Sequence, residues 1–227
     1  MSSRSASAVG VPVSAPEKTP APIHHDTPPL SAVSFSRMND FEECAYRALL
    51  KYSKKYRVQE PQPPADVETP LSRGSRVHDS AENYVRKDGM ALIPELLSFR
   101  GELEDLRERM IKYPKTIELE QMWCFKDDWT PTRSDDWTGT WLRVKQDVVV
   151  RPDPSMVIAI DYKTGKKAYN EIKHNTQLRL GMLGASFRYP AAETFIAENW
   201  YLDLNDHTQF KYTRAQVIDS FEEFDKR

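Results

Sequence analysis

The sequence predicts a mixed α/β fold: a central β-sheet with helices packed against it. Three observations predict it. Apolar residues recur at helical spacing up to about residue 113, alternate with polar ones over 116–126 and 140–151 before a more continuous apolar run at 155–165, and return to helical spacing after 171. Two further alternating stretches and a closing helical one complete the order: helices, three strands, a helix, two strands, a helix.

The 227 residues are 39% hydrophobic and 29% charged, enough for a core beneath a heavily charged surface. A net charge of −2 favours no class of partner, so any nucleic-acid contact has to come from local clustering. No apolar run is long enough to span a bilayer, and no charged start with an apolar core marks a signal peptide, so we expect a cytoplasmic protein with no membrane partner. Cys44 and Cys124 form neither a disulfide framework nor a zinc spacing and read as reduced thiols.

Residues 1–33 hold six of the sixteen prolines, spaced by Ser and Ala, and lack apolar periodicity; they read as a disordered tail. His24 and His25 fall inside it and read as tail residues. The folded region is expected over 34–227. It opens with "SFSRMNDFEECAYRALLKYSKKYR", where Ser34 and Ser36 are candidate caps and Met38, Phe41, Tyr46, Leu49 and Leu50 keep helical spacing. The Tyr46–Arg57 half carries five cations and three tyrosines with no acid. Lys51, Lys54 and Lys55 could follow a phosphate backbone there, or could simply be solvated cations at a helix end. A proline-rich linker (59–70) leads to a helix starting at Gly74, on which His78 and Glu82 lie four apart on one face. A charged amphipathic helix follows over 94–113.

The strands come next. "TIELEQMWCFK" (116–126) and "TWLRVKQDVVVR" (140–151) alternate; in the second, Leu142, Val144 and Val148 are expected on one face, with Arg143, Lys145 and Asp147 on the other. "SMVIAIDYKTG" (155–165) is more continuously apolar, as expected of a strand covered on both sides. "RPDPS" makes a tight turn between these last two, giving an antiparallel hairpin. A helix over 171–187, strands at 194–204 and 209–213 joined by "NDH", and a helix at 214–226 follow. Trp123, Trp137, Trp141 and Trp200 read as packing residues.

The hairpin brings chemistry together. Asp161 and Lys163, two apart, share a face, and Asp147 lies across the turn, fourteen residues before Asp161. Two close carboxylates repel unless a cation neutralises them, and oxygen ligands suit Mg²⁺. The backbone carbonyl of Tyr162 could add a ligand. Lys163 would orient or help deprotonate an attacking water and stabilise charge on a phosphate.

"WLRVKQDVVV…VIAIDYKTGK" resembles the core of the PD-(D/E)XK nuclease superfamily, and within it the RecB-like branch. "RGSRVHDSAE" (73–82) is similar to that branch's "RGxxxHxxxE" helix through Arg73, Gly74, His78 and Glu82. "NTQLRLGMLGA" supplies the helix glutamine, Gln177, and "SFSRMNDFEECAYRALLKY" is similar to the branch's opening. Two details differ: Ala45 stands where the family has Pro, and Gly181 where its glutamine helix carries an aromatic residue.

The resemblance implies a restriction-endonuclease-like core and Mg²⁺- or Mn²⁺-dependent hydrolysis of DNA. It implies His78, Asp147 and Asp161 as metal ligands, a catalytic Lys163, and Gln177 positioning the site or the strand. Glu82, Glu118 and Glu120 are weaker candidates for support or for a second metal. An iron–sulfur cluster, which some branch members hold through four cysteines, is not expected from two. The resemblance points to a phage or bacterial exonuclease of recombination or repair. An endonuclease or nickase, and a non-hydrolytic binding module, are the alternatives; a recombination or replication partner and a homo-oligomer stay open.

Overall fold

A computed structural model of the chain describes residues 32–53, 56, 64, 67–87, 90–136 and 139–225. The tail expectation for 1–31, the cations Lys54 and Lys55, and Trp137 lie outside these residues. The sheet is built from β1 (Val33–Ser34), β2 (Ile117–Phe125), β3 (Pro131–Thr132), β4 (Leu142–Val150), β5 (Met156–Lys163), β6 (Thr194–Tyr201) and β7 (Asp206–Thr213). Its order is β3-β2-β4-β5-β6-β7, with β1 added parallel to the start of β4. β5 and β6 run parallel, joined by the crossover helix α5 (Glu171–Arg188), and the remaining neighbours on that path are antiparallel. The expected mixed sheet flanked by helices is present.

The helices form two layers. One face of the sheet carries α3 (Pro70–Arg86) and α4 (Arg100–Lys112), burying Val77, Ala81, Leu103 and Leu106 against Ile117, Leu119, Val148, Val150, Ile160 and Trp200. The other carries α5 with α1 (Phe35–Glu43), α6 (Arg214–Asp219) and α7 (Phe221–Asp225). There Leu178, Met182 and Leu183 of α5 pack on Trp123, Phe125, Leu142, Val144, Val157 and Phe195. β5 serves both layers, as its continuous apolar run predicts: Val157 and Ala159 face one, Ile160 and Tyr162 the other.

Several boundaries differ from the sequence reading. The first helix does not run through to Arg57. It stops at Cys44, whose extended backbone (φ −163°) breaks it, and restarts as α2 (Ala45–Ala48) and one wide turn, Leu49–Ser53. α3 begins at Pro70 rather than Gly74, because Thr69 and Ser72 form a capping box and proline suits the first helical position. The closing helix is two short ones broken at Ser220.

A larger correction concerns β4. Leu142 and Val144 face α5, but Val148 and Val150 face α3 and α4, although all four are even-numbered. The paired strand β2 switches in the same way: Ile117 and Leu119 lie in one layer, Trp123 and Phe125 in the other. The register is unchanged on both sides of the switch, with Leu119 opposite Val148 and Gln121 opposite Gln146. The ribbon therefore rolls over between them, at Glu120 and Asp147. Glu120 has a left-handed backbone (φ 52°), uncommon for a residue with a β-carbon. A strict period of two cannot foresee this, since one left-handed residue reverses the parity of everything after it.

Strain at Glu120 is measurable. Glycine in a strand ordinarily costs about 0.5–1 kcal/mol relative to alanine. Here Glu120→Gly should instead be more stable than Glu120→Ala by about 1 kcal/mol, since both lose the carboxylate and only glycine relieves the left-handed backbone. Urea denaturation of the two variants checks this; alanine equal to or better than glycine would remove the strain.

Candidate metal centre and catalytic residues

The site lies where the ribbon rolls over. β4 and β5 pair from Val150–Ile158 to Val148–Ile160 and then part. At the next position Asp147 turns its side chain into the gap, and its Oδ2 accepts a hydrogen bond from the Tyr162 backbone N–H at 2.8 Å. The carboxylate takes the place of a ladder acceptor, and Asp147 is buried there at 6% exposure. Its other oxygen, Oδ1, lies 3.3 Å from His78 Nδ1, brought in from the middle of α3. The ring of Tyr162 meets His78 edge-on at 5.6 Å and fixes the side from which the imidazole enters.

Glu120 completes a cluster. Its carboxylate is 3.8 Å from His78 Nδ1, and its Oε2 is paired with Lys145 Nζ at 2.5 Å. Donor atoms of His78, Glu120 and Asp147 all lie within 4.8 Å of one another. Glu120 Oε1 is buried there without a hydrogen-bond partner, the kind of oxygen a cation would satisfy. One imidazole nitrogen and two carboxylates are a donor set that fits a divalent cation.

Electrostatics shows what occupies that position otherwise. Burial works against a charged His78, but the carboxylates of Asp147 and Glu120, with the charge of Asp161, outweigh it and push the imidazole up to about 10. Burial alone would raise Glu120, yet His78 and Lys145 hold it below the usual carboxylate range. The cluster neutralises itself with a proton on His78 when no cation is bound.

Asp161 and Lys163 do share a face, as their spacing predicts, with Lys163 Nζ 2.5 Å from Asp161 Oδ2. Gln177 closes a triangle: it accepts from Lys163 Nζ at 2.9 Å and donates to Asp161 Oδ1 at 3.0 Å. The three come from β5 and the second turn of α5, so the crossover that makes β5 and β6 parallel also delivers Gln177. Asp161 bonds within this triangle and is not one of the three donors that lie within 4.8 Å of one another. Burial, followed by the charge of Asp147, pushes its carboxyl upward against the opposing pull of Lys163.

The remaining residues singled out by sequence lie elsewhere. Glu82 pairs with Arg86, whose Nη2 donates to the Leu119 carbonyl; it steadies the strand just before Glu120. Glu118 accepts from the Tyr189 hydroxyl at 2.8 Å. Lys51 is paired with Asp40 at 2.7 Å. Gly181, standing where the family has an aromatic residue, lies close to β4: a β-carbon there would come within 2.7 Å of Gln146 Nε2, so the end of that side chain would have to shift.

Two contributions escaped sequence reading. Lys145, alternating with Asp147, is the counter-charge of Glu120. Asp203, in the turn between β6 and β7, takes both guanidinium nitrogens of Arg73 at 2.6 and 2.9 Å and accepts from the Gly165 N–H at 2.6 Å. It ties the start of α3 to the chain leaving Lys163, at a glycine with φ 102°. Arg73 was visible in the motif; its partner, 130 residues away, carries no local signal.

A sequence model of the PD-(D/E)XK nuclease superfamily matches residues 32–226. The chain belongs to the PD-(D/E)XK nuclease superfamily. No curated protein matches it. A solved structure described as "Crystal structure of SSO0001" is 12% identical over 89% of this chain and 77% of that one, at a TM-score of 0.35. No helix among the described residues is long and apolar enough to cross a membrane.

The raised His78 couples cation binding to protons. Below pH about 10 the metal-free imidazole is protonated, so a cation that takes the ring nitrogen must displace a proton. Binding should therefore tighten as pH rises from 6 towards 9, with proton release visible as a dependence of the calorimetric heat on buffer ionisation enthalpy. His78→Ala should bind more weakly and lose most of that dependence. Equal proton release from both proteins would remove His78 from the linkage.

Proposed function

We propose that this protein is a metal-dependent nuclease that hydrolyses phosphodiester bonds in DNA with Mg²⁺ or Mn²⁺, and that it acts as an exonuclease of the RecB-like kind. The observation that carries the reading is the junction of two groups on adjacent strands: a three-donor cluster at His78, Glu120 and Asp147, and beside it the Asp161–Lys163–Gln177 triangle. A structural ion pair would need neither the glutamine bridge nor a second cluster of buried acids next to it.

In this reading Asp161 and the Tyr162 carbonyl join His78, Glu120 and Asp147 in holding the cation. Bound there, it supplies positive charge that polarises the phosphate and eases deprotonation of water. Lys163 orients the attacking water and stabilises charge building on the phosphoryl oxygens as the P–O bond to the leaving strand breaks. Gln177 holds Lys163 and Asp161 in register. Lys145 and Arg73 act at one remove, through Glu120 and through the chain leaving Lys163. A role in phage or bacterial recombination or repair belongs to the same proposal and rests on the motif resemblance alone.

The decisive comparison is between neighbouring residues. Lys163→Ala should keep metal and DNA affinity close to the parent yet lose about a hundredfold or more in single-turnover cleavage. Asp147→Ala and Asp161→Ala should lose metal affinity and cleavage together. A folded Lys163→Ala protein that cleaves like the parent would end the assignment.

Exonuclease action predicts attack on linear DNA but little on covalently closed circles, both abolished by EDTA. Gel analysis of the two substrates distinguishes the outcomes; rapid linearisation of closed circles would assign an endonuclease instead.

A further inference from the structure

Residues 164–170 join β5 to α5, and both ends of this turn belong to the catalytic triangle: Lys163 stands just before it and Gln177 in the second turn of the helix after it. Tyr169 lies on it, six residues after Lys163 and eight before Gln177. It is fully exposed (103%), and its backbone is left-handed (φ 68°). Three other described residues with a β-carbon share that conformation. Glu120 belongs to the metal-ligand cluster, Trp129 is buried in the core, and Asn205 is of a type that adopts it readily. At Tyr169 no packing offsets the unfavourable backbone.

The turn is held from both sides. The Gly165 N–H donates to Asp203 Oδ2 at 2.6 Å, and Lys167 Nζ is paired with Asp206 at 2.5 Å. The Asn170 side-chain amide donates to the Lys166 carbonyl at 3.1 Å and its backbone N–H to the Lys167 carbonyl at 3.0 Å. These bonds fix the backbone before and after Tyr169 and leave its ring in solvent. Ile172, on the first turn of α5, is 84% exposed, and Lys166 and Lys173 are exposed with no ion pair to any described residue. Glu171 is the one acid of residues 164–173, against three lysines of which Lys167 is matched by Asp206. An exposed aromatic ring between unmatched lysines is the chemistry of single-strand binding: the ring stacks on a base, and the cations follow the phosphates.

We propose that Tyr169 stacks on an unpaired base of the substrate strand, near the phosphate cleaved at Lys163, and that this turn selects single-stranded DNA. The position of the turn favours a base over a protein surface as the occupant. Its two ends are Lys163 and Gln177, so a strand whose phosphate reaches the triangle carries its bases past Tyr169. Inside a duplex each base is already stacked and paired, and freeing its face costs energy that a single strand does not spend. This assignment deepens the nuclease reading and rests on it for the identity of the strand, but stacking can be read without cleavage.

The test is the affinity of the full chain for a 15-nucleotide strand and for its blunt duplex, by fluorescence anisotropy in EDTA across a salt series. Tyr169→Ala should weaken single-strand binding about fivefold to a hundredfold with an unchanged salt slope, since it removes stacking and no charge. Tyr169→Phe should stay within about twofold of the parent, and Tyr169→Trp should match or exceed it, because the ring is what binds. Lys166→Ala should instead flatten the log–log salt slope by about 0.7, as loss of one phosphate contact requires. Strands with one abasic position each should reveal a position where the parent loses affinity and Tyr169→Ala does not. Tyr113→Ala, which removes an exposed tyrosine at the end of α4 in the other helical layer, is the control and should change little.

Tyr169→Ala that binds like the control, or that loses as much on the duplex as on the single strand, overturns the stacking assignment whether or not the protein cleaves DNA. Equal losses from Tyr169→Ala and Tyr169→Phe overturn it too, since the hydroxyl rather than the ring would then be the contact. Strands that stack on Tyr169 but are not cut with Mg²⁺ or Mn²⁺ leave the assignment standing and overturn the nuclease reading. A parent that binds neither strand nor duplex overturns both.

Discussion

The hydrogen bond from the Tyr162 N–H to Asp147 Oδ2 is the constraint on which the site depends. Where two strands part, each loses a ladder partner, and a buried N–H without an acceptor costs roughly 1–3 kcal/mol. Asp147 removes that cost by supplying a side-chain oxygen in place of a backbone one. The parting of β4 and β5 is thereby made stable, and the opening between them becomes permanent. Into it reach His78 from one helical layer and Glu120 from the next strand, while Asp161 and Lys163 lie on the far lip. Had the hairpin stayed paired, backbone bonds would have filled the space.

Charge follows from the same geometry. Three carboxylates, Glu120, Asp147 and Asp161, are drawn into a partly buried region, and each needs a positive neighbour. Lys145 serves Glu120, Lys163 serves Asp161, and His78 sits between Asp147 and Glu120 with its proton held up to about 10. Lys145 is half exposed and Lys163 is held inside against Asp161 and Gln177, but the imidazole is the group whose proton can be exchanged for a divalent cation. The metal-free centre is thus balanced, and a divalent cation that displaces the His78 proton would add one net positive charge to it.

Strain and close approach are placed at the same level of the sheet. Glu120 takes a left-handed backbone beside the roll of the ribbon, and Arg86, paired with Glu82, bonds the carbonyl of the preceding residue. Gly181 lets α5 close on Gln146, one residue before Asp147. Asp203 joins Arg73 to Gly165 behind Lys163. Each of these contacts fixes backbone rather than chemistry, and together they hold side by side two clusters drawn from α3, β2, β4, β5 and α5.

The order of helices and strands was legible in the chain because it is set by local periodicity, and the Asp161–Lys163 pair because side chains two apart on a strand must share a face. Asp147 and Gln177 were legible through their spacing from that pair within a recognisable motif. His78 was legible too, although only its helix, not its target, could be read. The tertiary structure alone decided that Glu120, among three candidate glutamates, joins the cluster: a left-handed residue and a rolled ribbon are invisible to a period of two. It alone brought Asp203 to Arg73. These are meetings of residues from 27 (Glu120 to Asp147) to 130 (Arg73 to Asp203) positions apart, fixed by how the layers pack, and no local pattern encodes them.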